Sequence, residues 1–222
     1  MSDKGNQTPG PAFDDAFGQE FVKLLQWRRD VRHFKRDPLP SELVEELLAL
    51  TDLSPSVGNS QPWRFVMIEE PSLRSAIYED FKCANSEALN GYKGDKAALY
   101  ANLKLSGLDD APVHIAVYCD EAPAQGRGLG RQTMPETLRY SVVSAIHTLW
   151  LAARTRGVGL GWVSILHPDK LQSLIQVPDN WSFVAYLCLG YPTVESDTPE
   201  LQQVGWQERT PWQTRVYKNK VS

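Results

Sequence analysis

Apolar residues recur at helical spacing from Phe17 onward. Phe21, Leu24 and Leu25 share a face with Arg28, so a first helix is predicted to deliver "RRDVR" (28–32) at its C-terminal end. Leu43, Val44, Leu47 and Leu48 form a second buried stripe, with Ser41 as the expected N-cap. "SLRSAIYEDF" (72–81) reads as a short helix, and "HPDKLQSLIQV" (167–177) as another with Pro168 near its start. The longest helical pattern runs from Pro135 to Arg156 and closes at Gly157. Leu138, Val142, Ile146, Leu149 and Ala153 keep one register there, while Val143, Trp150 and Leu151 lie off it. A helix apolar on more than one side is buried deeply, in its own chain or against a partner.

Four runs read as strands: "FVMIEE" (65–70), "PVHIAVYCD" (112–120), "LGWVSIL" (160–166) and the near-continuous apolar "SFVAYLCLGYP" (182–192). Strands do not alternate strictly with helices, which favours an α+β fold. Residues 1–16 are polar and Gly/Pro-rich and are expected to be a disordered tail ahead of a single domain, 17–222. Gly91 and Gly94 break weak helical patterning within 83–110, which suggests two short helices and a mobile joint, a plausible lid. Residues 193–222 show no clear helix yet carry Trp206, Trp212 and Tyr217, as an arm that packs on something would.

Composition narrows the function by exclusion. A net charge of −4 gives no general attraction to nucleic acid or an anionic membrane. The N-terminus lacks the apolar core of a signal peptide, and no run approaches the roughly 18 apolar residues of a membrane span. A cytoplasmic setting is the default. Cys83, Cys119 and Cys188 form no CxxC pair, and His33, His114, His147 and His167 have no metal-ligand spacing. His114, in mid-strand, is expected to be structural. "GRGLGR" (126–131) departs from the GxGxxG phosphate-binding spacing and reads as a flexible lead-in to the long helix.

Three stretches then stand out. "RRDVR" offers guanidinium forks suited to a phosphate or an electron-rich ring edge. "SPSVGNSQPW" (54–63) offers Ser56, Asn59 and Gln61 in one loop. "GLGWVSI" (159–165) places Gly159 and Gly161 ahead of Ser164, as close approach of a flat ligand to backbone requires. Arg209 adds a further cation. Each has a plainer use: dipole-complementing arginines, turn chemistry and a helix terminus. Together they fit an aromatic nitrogen heterocycle bearing a phosphate, of which FMN is the commonest.

From about residue 17 to its end the chain resembles the flavin-dependent nitroreductase family. "RRDVR", "SPSVGNSQPW" and "GLGW" stand where that family has Arg-Arg-Ser-x-Arg, Pro-Ser-x-x-Asn-x-Gln-Pro-Trp and Gly-Leu-Gly. The resemblance implies a mixed central sheet flanked by helices and an interlocked homodimer with its flavin sites between subunits. It implies that Arg28, Arg32 and Arg209 bind the FMN phosphate and the N1/O2 edge. Arg29, Asp30, Val31, Ser56, Asn59, Gln61, Gly161, Trp162 and Ser164 would line the same site. Ordinary members have Ser or Thr where this chain has Asp30. "RRDVRHF", "GLGRQTMPETLRYSVV" and "GLGWVSIL" look instead like the 5,6-dimethylbenzimidazole synthase (BluB) branch. That branch consumes reduced FMN and O2, with FMN as substrate, to make the lower ligand of vitamin B12. By that resemblance Asp30 and Ser164 are the catalytic pair, and a separate flavin reductase supplies reduced FMN. Asp30 is then either the base that takes a proton from the ribityl chain or an ion-pair partner that orders its arginines. The alternatives are a conventional NAD(P)H-dependent nitroreductase or quinone reductase, and a module that binds flavin without chemistry.

Overall fold

The two longest apolar strand runs become the centre of a sheet in a computed structural model that describes residues 10–101 and 107–221. Strand β2 (Val113–Asp120) pairs with β4 (Trp181–Gly190). Strand β1 (Trp63–Met67) lies outside β2, and β3 (Gly159–Val163) lies outside β4, giving the order β1-β2-β4-β3. All the ladders between these strands are antiparallel. Among the described residues, the parallel component expected of a mixed sheet is confined to an isolated bridge, Asp30 to Leu160, on the outer edge of β3.

Ile115, Val117 and Cys119 of β2, with Ala185, Leu187 and Leu189 of β4, face one core layer. Helices α2 (Ser41–Thr51) and α6 (Thr137–Thr155) cover it through Leu47, Leu138, Val142, Ile146, Leu149 and Ala153. Ala116, Tyr118, Tyr186 and Cys188 face a second layer built with Ile77 and Phe81 of α3 (Pro71–Leu89) and Leu171 of α7 (Pro168–Ile175). Burial on both faces is why these strands read as unbroken apolar runs. His114 is structural as expected: its ring lies 2.9 Å from the Tyr186 hydroxyl and 3.0 Å from the Ala111 carbonyl, and burial lowers its pKa to about 4.

Several boundaries moved. Helix α1 (Asp15–Trp27) starts two residues before Phe17, because the Asp14 carboxylate accepts the Phe17 N–H at 2.8 Å. Ser41 is not an N-cap. Pro40 holds that position, and Ser41 opens the helix with no side-chain cap. Helix α3 runs to Leu89, through the first quarter of the expected lid. Helices α4 (Asp95–Ala101) and α5 (Gly107–Asp110) follow, and the part of the lid at 102–106 lies outside the described residues. The C-terminal arm does contain a short helix, α8 (Glu200–Gln203), and a 3-10 turn, Trp212–Arg215. Trp206 packs on Tyr92 and Tyr100 at ring separations of 5.5 and 6.2 Å.

Two apolar surfaces find no cover among the described residues. No residue of α1 is buried, and Phe17, Phe21, Val22, Leu25 and Trp27 are 40–51% exposed. Tyr140 and Val143 of α6 are likewise exposed. No described helix is long and apolar enough to cross a membrane.

Candidate functional site

Helix α1 ends at Trp27, and Arg28 turns extended (φ −70°, ψ 119°), so residues 28–32 leave the helix as a strand-like segment. That segment lies along the outer edge of β3. The Val31 N–H donates to the Leu160 carbonyl at 3.0 Å, and the Trp162 N–H donates to Asp30 Oδ1 at 2.9 Å. Two glycines make the approach possible. A Cβ at Gly161 would stand 2.2 Å from the Val31 carbonyl oxygen, and one at Gly159 would stand 2.7 Å from Val31 Cγ2. On the side to which a Cβ would project, the chain's own Val31 already fills the space at both glycines. From the other side, Trp150 of α6 donates its Nε1–H to the Arg29 carbonyl at 2.9 Å, and the Arg28 guanidinium lies 4.7 Å from its ring centroid.

This anchoring decides the state of Asp30. Its Oδ2 faces Arg32 Nε at 3.5 Å, a loose contact. Although 38% of its side-chain surface still reaches solvent, the surrounding protein dominates. Burial raises the Asp30 pKa above the ordinary carboxylate value, against the opposing pull of the Trp162 N–H and Arg32, and the Glu200 carboxylate adds to the rise. Burial also lowers the pKa of Arg28 and Arg29, and Arg209 repels both. All remain cations.

Arg28, Arg29, Asp30, Arg32 and Arg209 line one cleft of about 350 Å³. Arg29 is committed to structure there. It donates to the Arg28 carbonyl at 2.6 Å and to the Asp197 carbonyl, tying the C-terminal arm to the arginine segment. Sequence reasoning missed two acids of the cleft wall, Glu200 and Glu208, and missed Trp150 as the prop beneath Arg28. Trp150 was visible only as an apolar residue off the buried stripe of its helix.

The polar loop forms a second site. The Ser56 hydroxyl accepts the Gln61 N–H at 3.0 Å. The Gln61 side chain donates to Asp52 and accepts from Gln125 at 2.8 Å. Gly58, Asn59 and Gln61 all have positive φ (58°, 54° and 43°), and two of them pay a steric cost that only a well-braced loop sustains. The brace is "GRGLGR". A Cβ on Gly126 would stand 2.8 Å from Ser60 Cβ, and one on Gly130 would stand 2.7 Å from Val57 Cγ2. That segment is docked on the polar loop, which corrects its reading as a flexible lead-in. Gly58, Asn59, Gln125, Arg127 and Gln132 are among the residues lining a cleft of about 640 Å³ there.

The arginine cleft and the Asn59 cleft are separate in one chain. Ser164 lines neither. It lies one residue beyond the end of β3, exposed, rather than within the strand.

Residues 25–191 match the family model described as Nitroreductase family. The chain belongs to the nitroreductase family. The match spans "RRDVR", the polar loop and β3, and it stops short of Arg209 and the C-terminal arm. Among nitroreductase-family relatives, the 5,6-dimethylbenzimidazole synthase of Rhodospirillum rubrum is 55% identical over 91% of this chain and 96% of its own length. The synthase of the same name from Rhodobacter capsulatus is 45% identical over 91% of this chain and 99% of its own. Among solved structures, oxidized iodotyrosine deiodinase bound to FMN and 3-iodo-L-tyrosine has a TM-score of 0.70 at 20% identity, covering 90% of this chain and 99% of that one. At that identity the likeness establishes the nitroreductase-like fold alone.

Proposed function

We propose that this chain is a 5,6-dimethylbenzimidazole synthase that takes reduced FMN and O2 as substrates. The products are dimethylbenzimidazole, for the lower ligand of vitamin B12, and erythrose 4-phosphate. The synthase relatives support the reading over a conventional NAD(P)H-dependent nitroreductase or quinone reductase. The single observation that carries it is Asp30: a carboxylate of raised pKa, fixed by a backbone N–H, in a cleft it shares with Arg28, Arg29, Arg32 and Arg209.

The donor set fits FMN. Arg28, Arg32 and Arg209 supply charge-assisted donors for its phosphate. Bound reduced FMN supplies the electrons that reduce O2 and the carbon skeleton that becomes the product. Asp30 takes a proton from the ribityl chain, and its raised pKa brings it nearer the working pH of a general base. Ser164 donates a hydrogen bond beside the flavin ring. The described parts of the expected lid, 83–101 and 107–110, keep water out, and a separate flavin reductase provides reduced FMN.

Aerobic incubation with chemically reduced FMN, followed by mass analysis, is expected to yield dimethylbenzimidazole. Return of oxidised FMN alone, or rapid NADPH oxidation by the pure protein, would restore the conventional nitroreductase reading.

The separate clefts support a site completed by a second copy, with Asn59 of one chain meeting the arginines of the other. The uncovered faces of α1 and α6 are the surfaces such a homodimer would bury. Sedimentation is expected at twice the 25.0 kDa chain mass. A folded monomer at micromolar concentration would exclude this assembly.

A further inference from the structure

Several donors converge on one buried carboxylate away from the arginine cleft. Asp80 of α3 is 0% exposed. Its Oδ2 accepts the His167 backbone N–H at 2.9 Å. Its Oδ1 meets His167 Nδ1 at 2.8 Å and Lys170 Nζ at 3.2 Å. The other ring nitrogen of His167, Nε2, meets Glu87 Oε2 at 3.2 Å. Ionised carboxylates only accept, and a neutral imidazole has one N–H, so both contacts are made only by the imidazolium. His167 directly precedes α7 and gives it no side-chain cap, and Asp80 of another helix holds the backbone N–H of that N-cap residue.

The contact fastens a short span. Strand β3 holds the chain up to Val163, and Leu166 is buried. Ser164 lies between these anchors with its side chain exposed, and its hydroxyl makes no hydrogen bond to a described residue. Only the backbone on either side sets its direction.

We propose that Asp80, His167 and Glu87 form a positioning clamp for Ser164, which holds the 164–167 turn while His167 carries its proton and loosens it when the proton leaves. The inference rests on the reading of Ser164 as a group that acts on the flavin. The ionisable groups facing the ring are Asp80, Glu87 and Cys83 of α3, with Cys83 Sγ 3.4 Å from Glu87, and Lys170 of α7 itself. Strand β4 also packs on α7, but its Tyr186 and Cys188 are buried in the core. Lys170 and the backbone N–H keep Asp80 satisfied after deprotonation, so the Glu87 side is the one released. Asp80 and Glu87 raise the His167 pKa above its ordinary value. The clamp is then complete below the ordinary histidine range and is lost as pH rises through the raised value.

The test is a single turnover with enzyme in excess over chemically reduced FMN. It reads the fraction of flavin recovered as dimethylbenzimidazole, from about pH 6 to pH 9, with FMN affinity measured alongside. The parent's yield is expected to fall as pH rises. His167→Gln can still donate to one carboxylate but does not titrate. Its yield is expected to drop on the order of tenfold and to become independent of pH, with FMN affinity unchanged. Glu87→Gln, at an exposed position that folding should tolerate, is expected to move the midpoint to lower pH. A parental profile in either variant, or loss of yield and FMN affinity together, overturns the clamp. Ser164→Ala separates the two readings. Parental yield there removes the role of Ser164 and the clamp with it, whereas lost yield there beside a parental His167→Gln removes the clamp alone.

Discussion

Asp30→Asn is expected to bind reduced FMN as well as the parent does, to consume O2, and to return oxidised FMN in place of dimethylbenzimidazole. The amide keeps the shape, and its carbonyl can still accept the Trp162 N–H now held at 2.9 Å. Folding should not suffer. A carboxyl whose pKa is raised in the folded state disfavours folding while it is ionised, and that penalty fades as pH falls through the raised value. Removing the charge removes the penalty. Nor can losing a negative charge beside Arg28 and Arg32 weaken the binding of an anion. What is lost is the proton acceptor, and general-base contributions are typically 10²–10⁴-fold, so product formation should fall by about two orders of magnitude or more. The parent's product formation should also fade on acidification, at a pH above the ordinary aspartate range. Arg28→Ala should do the opposite. It removes charge-assisted bonds worth about 1.5–3 kcal/mol, which weakens FMN binding by about tenfold or more without changing how bound flavin partitions. Both outcomes are read from one FMN titration and one product assay per variant. Product from Asp30→Asn at even a tenth of the parental rate would mean that the acid only orders its arginine neighbours.

The residue types of this site were legible before its geometry was. "RRDVR" announced a cluster of cations around one acid, and Arg28, Asp30, Arg32 and Arg209 do share a cleft. The stripe of α6 was equally plain, because a single helix face carries its own periodicity: Leu138, Val142, Ile146, Leu149 and Ala153 are each at most 1% exposed. What failed depended on contacts between distant segments. Trp63 joins β1 because it pairs with Cys119, although the loop composition before it argues for an irregular chain. The "CANSEAL" end of α3 has good helix formers but no apolar stripe, so its helix was cut short. "GRGLGR" looks mobile in isolation and becomes a brace only when Gly126 and Gly130 meet Ser60 and Val57. Whether burial or the arginines would prevail at Asp30 could not be read from sequence. The answer depends on how closely β3 packs against it.

That packing gives the other large expected effect, Gly161→Ala. A Cβ there would stand 2.2 Å from the carbonyl oxygen of Val31. No rotamer change relieves it, because both the added atom and its neighbour belong to the chain's fixed framework. Gly161 has no positive φ, so alanine suits its backbone and the clash alone is tested. To make room, residues 28–32 must leave β3, breaking the Val31 to Leu160 and Trp162 to Asp30 bonds together. Overpacking of this kind costs typically about 1–3 kcal/mol. FMN affinity should fall further than in Arg28→Ala, because the whole arginine segment shifts. Gly18→Ala is the control: it lies within α1 with nothing within 4 Å of its added Cβ and should stabilise by roughly 0.5–1 kcal/mol. Paired substitutions sharpen the test. At Gly159 the obstruction is the Val31 side chain, 2.7 Å away at Cγ2, so Val31→Ala should partly rescue Gly159→Ala. At Gly161 the obstruction is Val31 backbone, so the same change should rescue nothing. Thermal unfolding and FMN titration of these variants measure both effects. Parental melting and parental affinity in Gly161→Ala would show that the grip of β3 on Val31 does not hold the arginines in place.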